Sequence, residues 1–326
     1  MHTVAILGFE GALATAVTGV MDLFRLAGVT WARIANEPIE RHFDVRLLTR
    51  DGAPCHCING VTLQSHGHWE ALEEAHIVIV PTIGGPIDQV LADNRDLLPV
   101  LHRYAEHGAD IASNCTGAFL LAEAGLLDGR TATTHWGFAD AFRSRFPNVD
   151  LKAERLIAAD PPVFCAGGGM AWLDLGVYLV ERYCGSDTAR ELGKAFVIET
   201  GRTSQAAFHG LPRRSLHQDP VIHAVEAHMA AHFGDRINLD QLAETFHLSP
   251  RTFKRRFSHA VGETPLNYLR QVRIDAAKRL LENPGMTLDN VTVAVGYEDV
   301  SSFSRLFKRV TGLTPGEYRQ RFRTRV

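Results

Sequence analysis

Six residues in the last hundred positions recur at one fixed offset. Phe253, Phe257, Gly262, Thr264, Pro265 and Tyr268 return fifty positions later as Phe303, Phe307, Gly312, Thr314, Pro315 and Tyr318. Written out, RTFKRRFSHAVGETPLNYLR is followed by SSFSRLFKRVTGLTPGEYRQ. A repeat of this kind constrains the fold before anything else does, because missing it misassigns the whole region.

Each copy reads as a helix-turn-helix. In INLDQLAETFHLSPRTFKRRFSHAVG, Asn238 and Ser249 have the chemistry of N-caps, and Pro250 suits a first helical position. Leu239, Leu242, Ala243 and Phe246 make one apolar face, Phe253 and Phe257 the next, with a short turn around His247-Leu248 between them. With both phenylalanines facing the core, Arg251, Lys254 and Arg255 point outward, where a major groove could receive them. In MTLDNVTVAVGYEDVSSFSRLFKRVTG the apolar face is Leu288, Val291, Ala294 and Val295, and Gly296 makes the turn. Its outward positions are Val300, Ser301, Ser304 and Arg305, and Arg305 matches Arg255 within F-x-R-x-F. One copy alone reads as well as a helical hairpin with a solvated basic face; two copies favour a pair of readers. Between them, Thr264-Pro265 starts a helix through Leu281, spanning ~25 Å. A spacer of that order can set two recognition helices about one DNA turn, ~34 Å, apart.

Charge follows the same division. The chain carries a net −3, yet residues 220–326 hold sixteen Lys/Arg against eleven Asp/Glu, leaving eighteen against twenty-six in residues 1–219. A basic module on an acidic body is the footprint of one part meeting phosphate. A basic face unrelated to DNA shows the same imbalance.

With 326 residues, two domains are expected. Strand candidates are Val4–Phe9, Phe43–Leu48, Ile77–Val80, Ile111–Ser113 and Thr131–Thr134, with a hairpin Arg155–Ala158 and Val163–Ala166. Helical patterns lie between: Ala14–Ile34, Pro86–His107, Gly117–Ala124, Gly137–Phe146, and Met170–Glu181 running on through Thr188–Ile198. This alternation predicts a mostly parallel sheet covered on both faces. Ligands in such sheets sit beyond the strands' carboxyl ends, which directs attention to the loops after Phe9, Val80, Ser113 and Thr134.

The loop ASNCTGAFLLAEAGLLDG places Cys115 between a strand and a helix, the geometry of a nucleophile elbow. The helix dipole and nearby N–H groups are expected to lower its pKa. His135 ends the next strand, so the two loops are expected to be neighbours in the sheet. Gly84-Gly85 offers N–H groups for an oxyanion-type cradle, and Trp136 adjoins His135. A small buried cysteine, a turn glycine pair and a hydrogen-bonded core histidine would give the same spacing. Cys55, Cys57, His66 and His68 are all residue types that ligate zinc, but their spacing is not that of an established finger and a surface hairpin explains it as well. Trp69, Trp136 and Trp172 could line a cage for a cation, or be core.

VPTIGGP, SNCTGAFLLAEAGLLDGRTATTHW and AGGGMAWLDLG resemble the sensor domain of GlxA-type AraC-family regulators, over about residues 1–200. That resemblance implies a ThiJ/PfpI-like, flavodoxin-like fold related to class I glutamine amidotransferases. The superfamily's cysteine falls on Cys115 and its histidine on His135. The protease branch has His directly after Cys, where this chain has Thr116. The superfamily's acidic residue falls on Ala16, so a binding pocket on an enzyme-like scaffold is implied and no catalytic residue is assigned. Residues 221–326 resemble the AraC/XylS DNA-binding domain, and GY-x-x-x-SSF-x-R-x-FK-x-x-x-G-x-TP-x-x-Y is close to that family's signature. Thr292 stands where Ala is usual. The resemblance implies Arg251, Lys254, Arg255, Ser301, Ser304 and Arg305 as DNA-contacting residues.

These readings give an α/β domain over 1–200, a Gly/Pro/Ser-rich linker over 201–220, and an all-α domain with two helix-turn-helix units over 221–326. The expected function is a transcription regulator, an activator by family resemblance, with double-stranded DNA as partner. A small-molecule effector is expected beside Gly84, Gly85, Cys115, His135 and Trp136; the family resemblance points to amino acids and quaternary amines. A homodimer and a contact with RNA polymerase are further expectations; no metal or cofactor is expected. Scattered cysteines suit a reducing cytoplasm, and the N-terminus reads as a first strand with no signal peptide. The rival is a cysteine-dependent hydrolase, hydratase or glyoxalase with a basic tail.

Overall fold

The computed structural model describes residues 1–71, 74–210 and 217–323. They divide into two compact units, Met1–Gln205 and Ala206–Val326.

In the first unit the strands are β1 (His2–Leu7), β2 (Phe43–Thr49), β3 (Cys55–His56), β4 (Thr62–Leu63), β5 (Gly67–His68) and β6 (Ile77–Val80). They continue with β7 (Asp110–Asn114), β8 (Thr131–Ala132), β9 (Asp150–Leu151), β10 (Ile157–Asp160) and β11 (Val163–Ala166). Among the described residues, seven of them form one sheet in the order β10-β11-β7-β6-β1-β2-β5. All its pairings are parallel except the β10–β11 hairpin at the edge. Strands such as Ile77–Val80 and Asp110–Asn114 are buried at every position, as expected where helices cover both faces.

The helices of this unit are α1 (Ala14–Leu26), α2 (Thr30–Ala35), α3 (Ile87–Asp93), α4 (Leu97–Glu106), α5 (Ala118–Glu123), α6 (Ala139–Arg145) and α7 (Ala171–Ala195). The span Pro86–His107, expected as one helix, breaks at Asn94. That side chain is buried and donates Nδ2 to the Val90 carbonyl at 2.8 Å, competing with the helical ladder. The span Ala14–Ile34 breaks at Gly28, whose φ of +72° no other residue type adopts as readily. Thr131–Ala132 is the larger correction: it leaves the main sheet and pairs with Asp150–Leu151.

The start of the stretch expected as a linker is built into this unit. Arg202 pairs with the buried Asp174 of α7, Ser204 bridges to Arg155, and Gln205 is 2 % exposed. Residues 211–216 of that stretch lie outside the described residues.

The second unit is helical: α8 (Pro220–Ala231), α9 (Leu239–Thr245), α10 (Pro250–Val261), α11 (Pro265–Glu282), α12 (Leu288–Ala294), α13 (Val300–Thr311) and α14 (Pro315–Phe322). It has two cores. Ile222, Val225, Met229, Leu242, Phe253 and Phe257 fill one, and Leu281, Val291, Val295, Phe303, Phe307 and Tyr318 are in the other. The long α11, 18 residues, serves both, with Leu269 in the first core and Ile274 and Ala277 in the second. Thr292 is 1 % exposed and returns its hydroxyl to the Leu288 carbonyl at 2.9 Å, so it acts in packing. Among the described residues no helix is long and apolar enough to cross a membrane.

Candidate functional site

Helices α10 and α13 are started and stopped by the same chemistry. Ser249 Oγ accepts the Thr252 N–H at 3.3 Å, and the Asp299 carboxylate accepts the N–H groups of Ser301 at 3.3 Å and Ser302 at 2.6 Å. Such caps satisfy amides that a helix start leaves unpaired, each contributing ~1 kcal/mol. Each helix ends on a left-handed glycine, Gly262 at φ +82° and Gly312 at φ +78°. Thr264 and Thr314 cap the next helix, with Pro265 and Pro315 at its first position. The rings repeat too: Phe257–Tyr268 and Phe307–Tyr318 both meet edge to face at 5.4 Å. Every identity in the repeat therefore has a local structural reason.

Phe253, Phe257, Phe303 and Phe307 are fully buried, which fixes the rotation of each helix about its axis. Arg251, Lys254, Arg255, Ser301 and Arg305 are left exposed and Ser304 half-buried. Lys254 Nζ lies 3.4 Å from Asp240, and Arg305 donates to Ser302 Oγ at 3.2 Å. Exposed pairs of this kind contribute little stability and hold neither cation firmly. Arg256, the third of three consecutive basic residues, instead turns back to Asp219, with contacts of 2.5 and 2.8 Å. Asp219 also caps α8 through the N–H groups of Val221 and Ile222. The Arg256 guanidinium, with those amides, holds the Asp219 carboxyl down to about 2.

In the first unit, β7 delivers Cys115 into a sharp turn at φ +57°, a left-handed conformation that costs an L-residue about 1–2 kcal/mol. The elbow geometry is there; the activated thiol is not. Cys115 is 5 % exposed, and burial pushes its thiol pKa up. The N–H groups of Gly169 and Thr116 and the hydroxyls of Thr116 and Thr82 favour the thiolate but do not offset that burial. Ala16, at the position where the resembling superfamily has an acid, is fully buried in α1 and offers only a methyl group.

His135 approaches the elbow by a different route from the one expected. The sheet neighbours of β7 are β6 and β11, and the segment after β8 is joined to the elbow by Thr134 Oγ1, which donates to the Cys115 carbonyl at 2.8 Å. His135 Nδ1 accepts the Gly137 N–H at 2.9 Å, which assigns the ring proton to Nε2. Burial lowers its pKa and keeps the ring neutral. The ring lies against Gly168, where an added Cβ would come within 2.1 Å of His135 Cδ2. Trp136 and Phe138 flank it at 5.3 and 5.6 Å, and Phe138 and Met170, 42 % and 52 % exposed, are apolar surface in the same two segments.

Gly84 and Gly85 of the expected cradle follow β6 (Ile77–Val80). Gly84 N–H donates to the Gly11 carbonyl at 2.8 Å, tying the loop after β6 to the loop after β1, and a Cβ on Gly84 would lie 2.4 Å from Ile58. Its amide serves loop pairing, while Gly85 packs near Val90. An open cleft lies at the carboxyl ends of β1 and β2, lined by Glu10, Arg50, Asp51, Cys55 and Trp69 among others. The Cys/His cluster does not converge. Cys55 and Cys57 are buried with sulfurs 3.9 Å apart, whereas His66 accepts the Leu47 N–H at 3.1 Å and faces Arg25 at 3.2 Å. Trp69 donates to the Gly8 carbonyl at 2.9 Å and Trp172 packs on Gly19, so each is core.

One residue at this site carried no sequence signal. Gln205, in a stretch of linker composition, donates Nε2 to the carbonyls of Thr134 at 2.7 Å and Ala153 at 2.9 Å, and accepts the Gly168 N–H at 2.9 Å. It thereby fastens the His135 segment to the glycine loop that touches both His135 and Cys115.

The sequence matches the helix-turn-helix domain family over residues 242–321 and the DJ-1/PfpI family over residues 2–159. It is 30% identical over 294 residues to the HTH-type transcriptional regulator CdhR of Pseudomonas aeruginosa, covering 88% of this chain and 84% of that protein. It is also 30% identical over 250 residues to the HTH-type transcriptional regulator GlxA of Rhizobium meliloti, covering 76% of each. The fold of the first unit is similar to the crystal structure of a putative transcriptional regulator protein from Vibrio parahaemolyticus, with a TM-score of 0.51 at 24% identity over 60% of this chain and 98% of that one. Two unlike domains, a doubled helix-turn-helix and relatives of matching length lead to one conclusion: the chain belongs to the AraC-family HTH-type transcriptional regulators, with a DJ-1/PfpI domain ahead of the helix-turn-helix pair.

Proposed function

We propose that this regulator reads DNA through α10 and α13, and that a small metabolite bound beside His135 in the α/β unit controls it without catalysis. The observation that carries the DNA reading is the twofold use of one capped, phenylalanine-anchored helix with two different outward faces. Arg251, Lys254 and Arg255 form one reader, Ser301, Ser304 and Arg305 the other. Arginine can bond a guanine edge at two points, while serine and lysine are less selective. Two unlike readers on one chain make the site bipartite and asymmetric.

Against catalysis stand a protonated Cys115 thiol, a neutral His135 and the methyl group of Ala16. The effector site has an aromatic edge made by Trp136, His135 and Phe138, which favours a ligand carrying an amine or quaternary ammonium. The β1–β2 cleft supports a second reading of where the effector sits, since Glu10 and Asp51 line it with negative charge. Thermal-shift screening of small metabolites against the full chain tests both, because a selective ligand stabilises the folded state. Loss of the shift in Trp136→Ala supports the His135 site; loss in Glu10→Gln with Trp136→Ala unaffected supports the cleft. Activation of transcription, contact with RNA polymerase, dimerisation through the α/β unit and a cytoplasmic location complete the proposal. A monomer in equilibrium sedimentation at micromolar concentration would remove the dimer from it.

A further inference from the structure

Two sulfurs meet beside the cleft beyond β1 and β2, in a part of the α/β unit that neither the readers nor the His135 site uses. The Cys55 and Cys57 sulfurs lie 3.9 Å apart. Cys55 belongs to β3, and Cys57 is extended as well, at φ −78° and ψ 158°. Side chains alternate along extended chain, so positions two apart share a face and the backbone itself brings the two thiols together. The other three cysteines lie on separate elements: Cys115 in the elbow after β7, Cys165 in β11 and Cys184 in α7.

The pair is chemically unequal. The Cys55 S–H has two acceptors in reach, the Phe9 carbonyl at 3.4 Å and the Cys57 sulfur. Offered to Cys57, that hydrogen lowers the Cys57 pKa against burial and the charge of Glu10, and it holds the Cys55 pKa up. Cys57 is therefore the thiol that ionises, and the thiolate is the form that attacks an oxidant. Cys57 keeps 6 % exposure, and Cys55 stands in the wall of the open cleft, so a small oxidant has a way in. The sulfurs must close to the ~2 Å of a disulfide, a short approach for side chains already on one face. A loop with one intervening residue removes little chain entropy, so such a bond is no staple for the fold. Its ring is tight, and strained disulfides are the readily reduced ones.

We infer that Cys55 and Cys57 are a site of reversible oxidation by peroxides, closing to a disulfide that reshapes the cleft wall. In the first step the Cys57 thiolate attacks one peroxide oxygen. A sulfur–oxygen bond forms, the oxygen–oxygen bond breaks, and the departing alkoxide or hydroxide takes a proton from water. In the second step the Cys55 sulfur attacks the sulfur of the sulfenic acid. The disulfide bond forms, the sulfur–oxygen bond breaks, and the hydroxide leaves as water with the Cys55 proton. The two sulfurs have together given two electrons to one peroxide. The bond removes the hydrogen that Cys55 offers the Phe9 carbonyl, which is left with the Ala12 N–H at 3.1 Å. It also pulls on a segment laced to the loop after β1, where the Gly11 N–H donates to the His56 carbonyl at 3.1 Å and the Ile58 N–H to the Ala12 carbonyl at 3.0 Å.

The test is hydrogen peroxide added to the reduced full chain with a chelator present, followed by alkylation in denaturant and tryptic mapping. Cleavage after Arg50 and Arg95 gives residues 51–95, which hold Cys55 and Cys57 and no other cysteine. That peptide is expected to lose two hydrogens and its uptake of alkylating reagent, and to regain both with dithiothreitol, while Cys115, Cys165 and Cys184 remain alkylated. Cys55→Ser is expected to stop at the sulfenic acid, trapped on Cys57 by dimedone, and Cys57→Ser to leave Cys55 a free thiol. The wild-type measurement decides by itself if a serine variant fails to fold. Undiminished alkylation of Cys55 and Cys57 in the wild type, or oxidation of Cys115 ahead of them, overturns the proposal. So does a dimedone adduct on Cys55 in Cys57→Ser with none on Cys57 in Cys55→Ser.

Discussion

Gln205 Oε1 accepts the Gly168 N–H at 2.9 Å while its Nε2 reaches the Thr134 carbonyl at 2.7 Å, so one buried amide joins the segment before His135 to the loop beneath it. Gln205 is also the last residue of the α/β unit, and the peptide that follows it begins the helical unit. There, the Lys278 ammonium meets the carbonyls of Ala206 and His209, and Ala207 is 5 % exposed in the second core.

Removing the Gln205 amide leaves the buried Thr134 carbonyl and the half-buried backbone groups of Ala153 and Gly168 without this partner. Gln205→Ala is expected to destabilise the α/β unit by about 1–3 kcal/mol. It should also weaken the thermal shift given by the effector, measured by differential scanning fluorimetry. An unchanged melting temperature would mean that water replaces the side chain without loss.

The thiol of Cys115 is held protonated by burial. At pH 7.5, a value about one unit below the ordinary cysteine pKa, its alkylation by iodoacetamide is expected to be slower than that of glutathione, followed by mass spectrometry of the Cys115 peptide. Cys115→Ala is expected to bind DNA and respond to effector as the wild type does. A loss of response with folding intact would restore thiol chemistry to the mechanism.

Phe257 and Phe307 sit in separate cores of the helical unit. Phe257→Ala and Phe307→Ala are each expected to cost about 3–5 kcal/mol, from lost burial and the cavity left behind. Urea denaturation of the double variant checks whether the costs add, as they do for sites without shared partners. Strong coupling would mean that α11 transmits strain between the two cores.

Asp219 has its carboxyl held at about 2, below the ordinary 3.8. A depressed carboxylate contributes stability that is fully present above the unfolded value and is lost as pH falls through the folded one. Stability of the helical unit should therefore decline between pH 4 and pH 2 in part through the Asp219–Arg256 pair. Asp219→Asn is expected to flatten that slope and leave the behaviour near neutrality parallel to the wild type. An equal slope in both proteins would place the acid sensitivity elsewhere.

The helical unit was legible in the sequence because its signals are local. Ser249, Thr264, Gly262 and their counterparts act within four residues of themselves, and Phe253 and Phe257 need only helical spacing to show which way the helix faces. The α/β unit was legible in its strands and less so in its site. Nothing in TATTHW says that Thr131–Ala132 pairs with Asp150–Leu151, since pairing is a long-range choice. The elbow at Cys115 could be read from strand and helix order, but not the burial that reverses the expected shift of its thiol. Gln205 carries no local signal because composition reports the average character of a stretch, and its importance lies in three segments meeting one amide.

The claim that α10 and α13 are two unlike readers of one site is tested most directly by operator binding of Arg255→Ala and Arg305→Ala, measured by fluorescence anisotropy alongside footprinting. Each variant is expected to lose about 1–3 kcal/mol, roughly 5–150-fold in affinity, with protection weakened over a different half of an asymmetric footprint. Unchanged affinity in both variants, with the fold intact, would contradict the assignment of those helices to DNA.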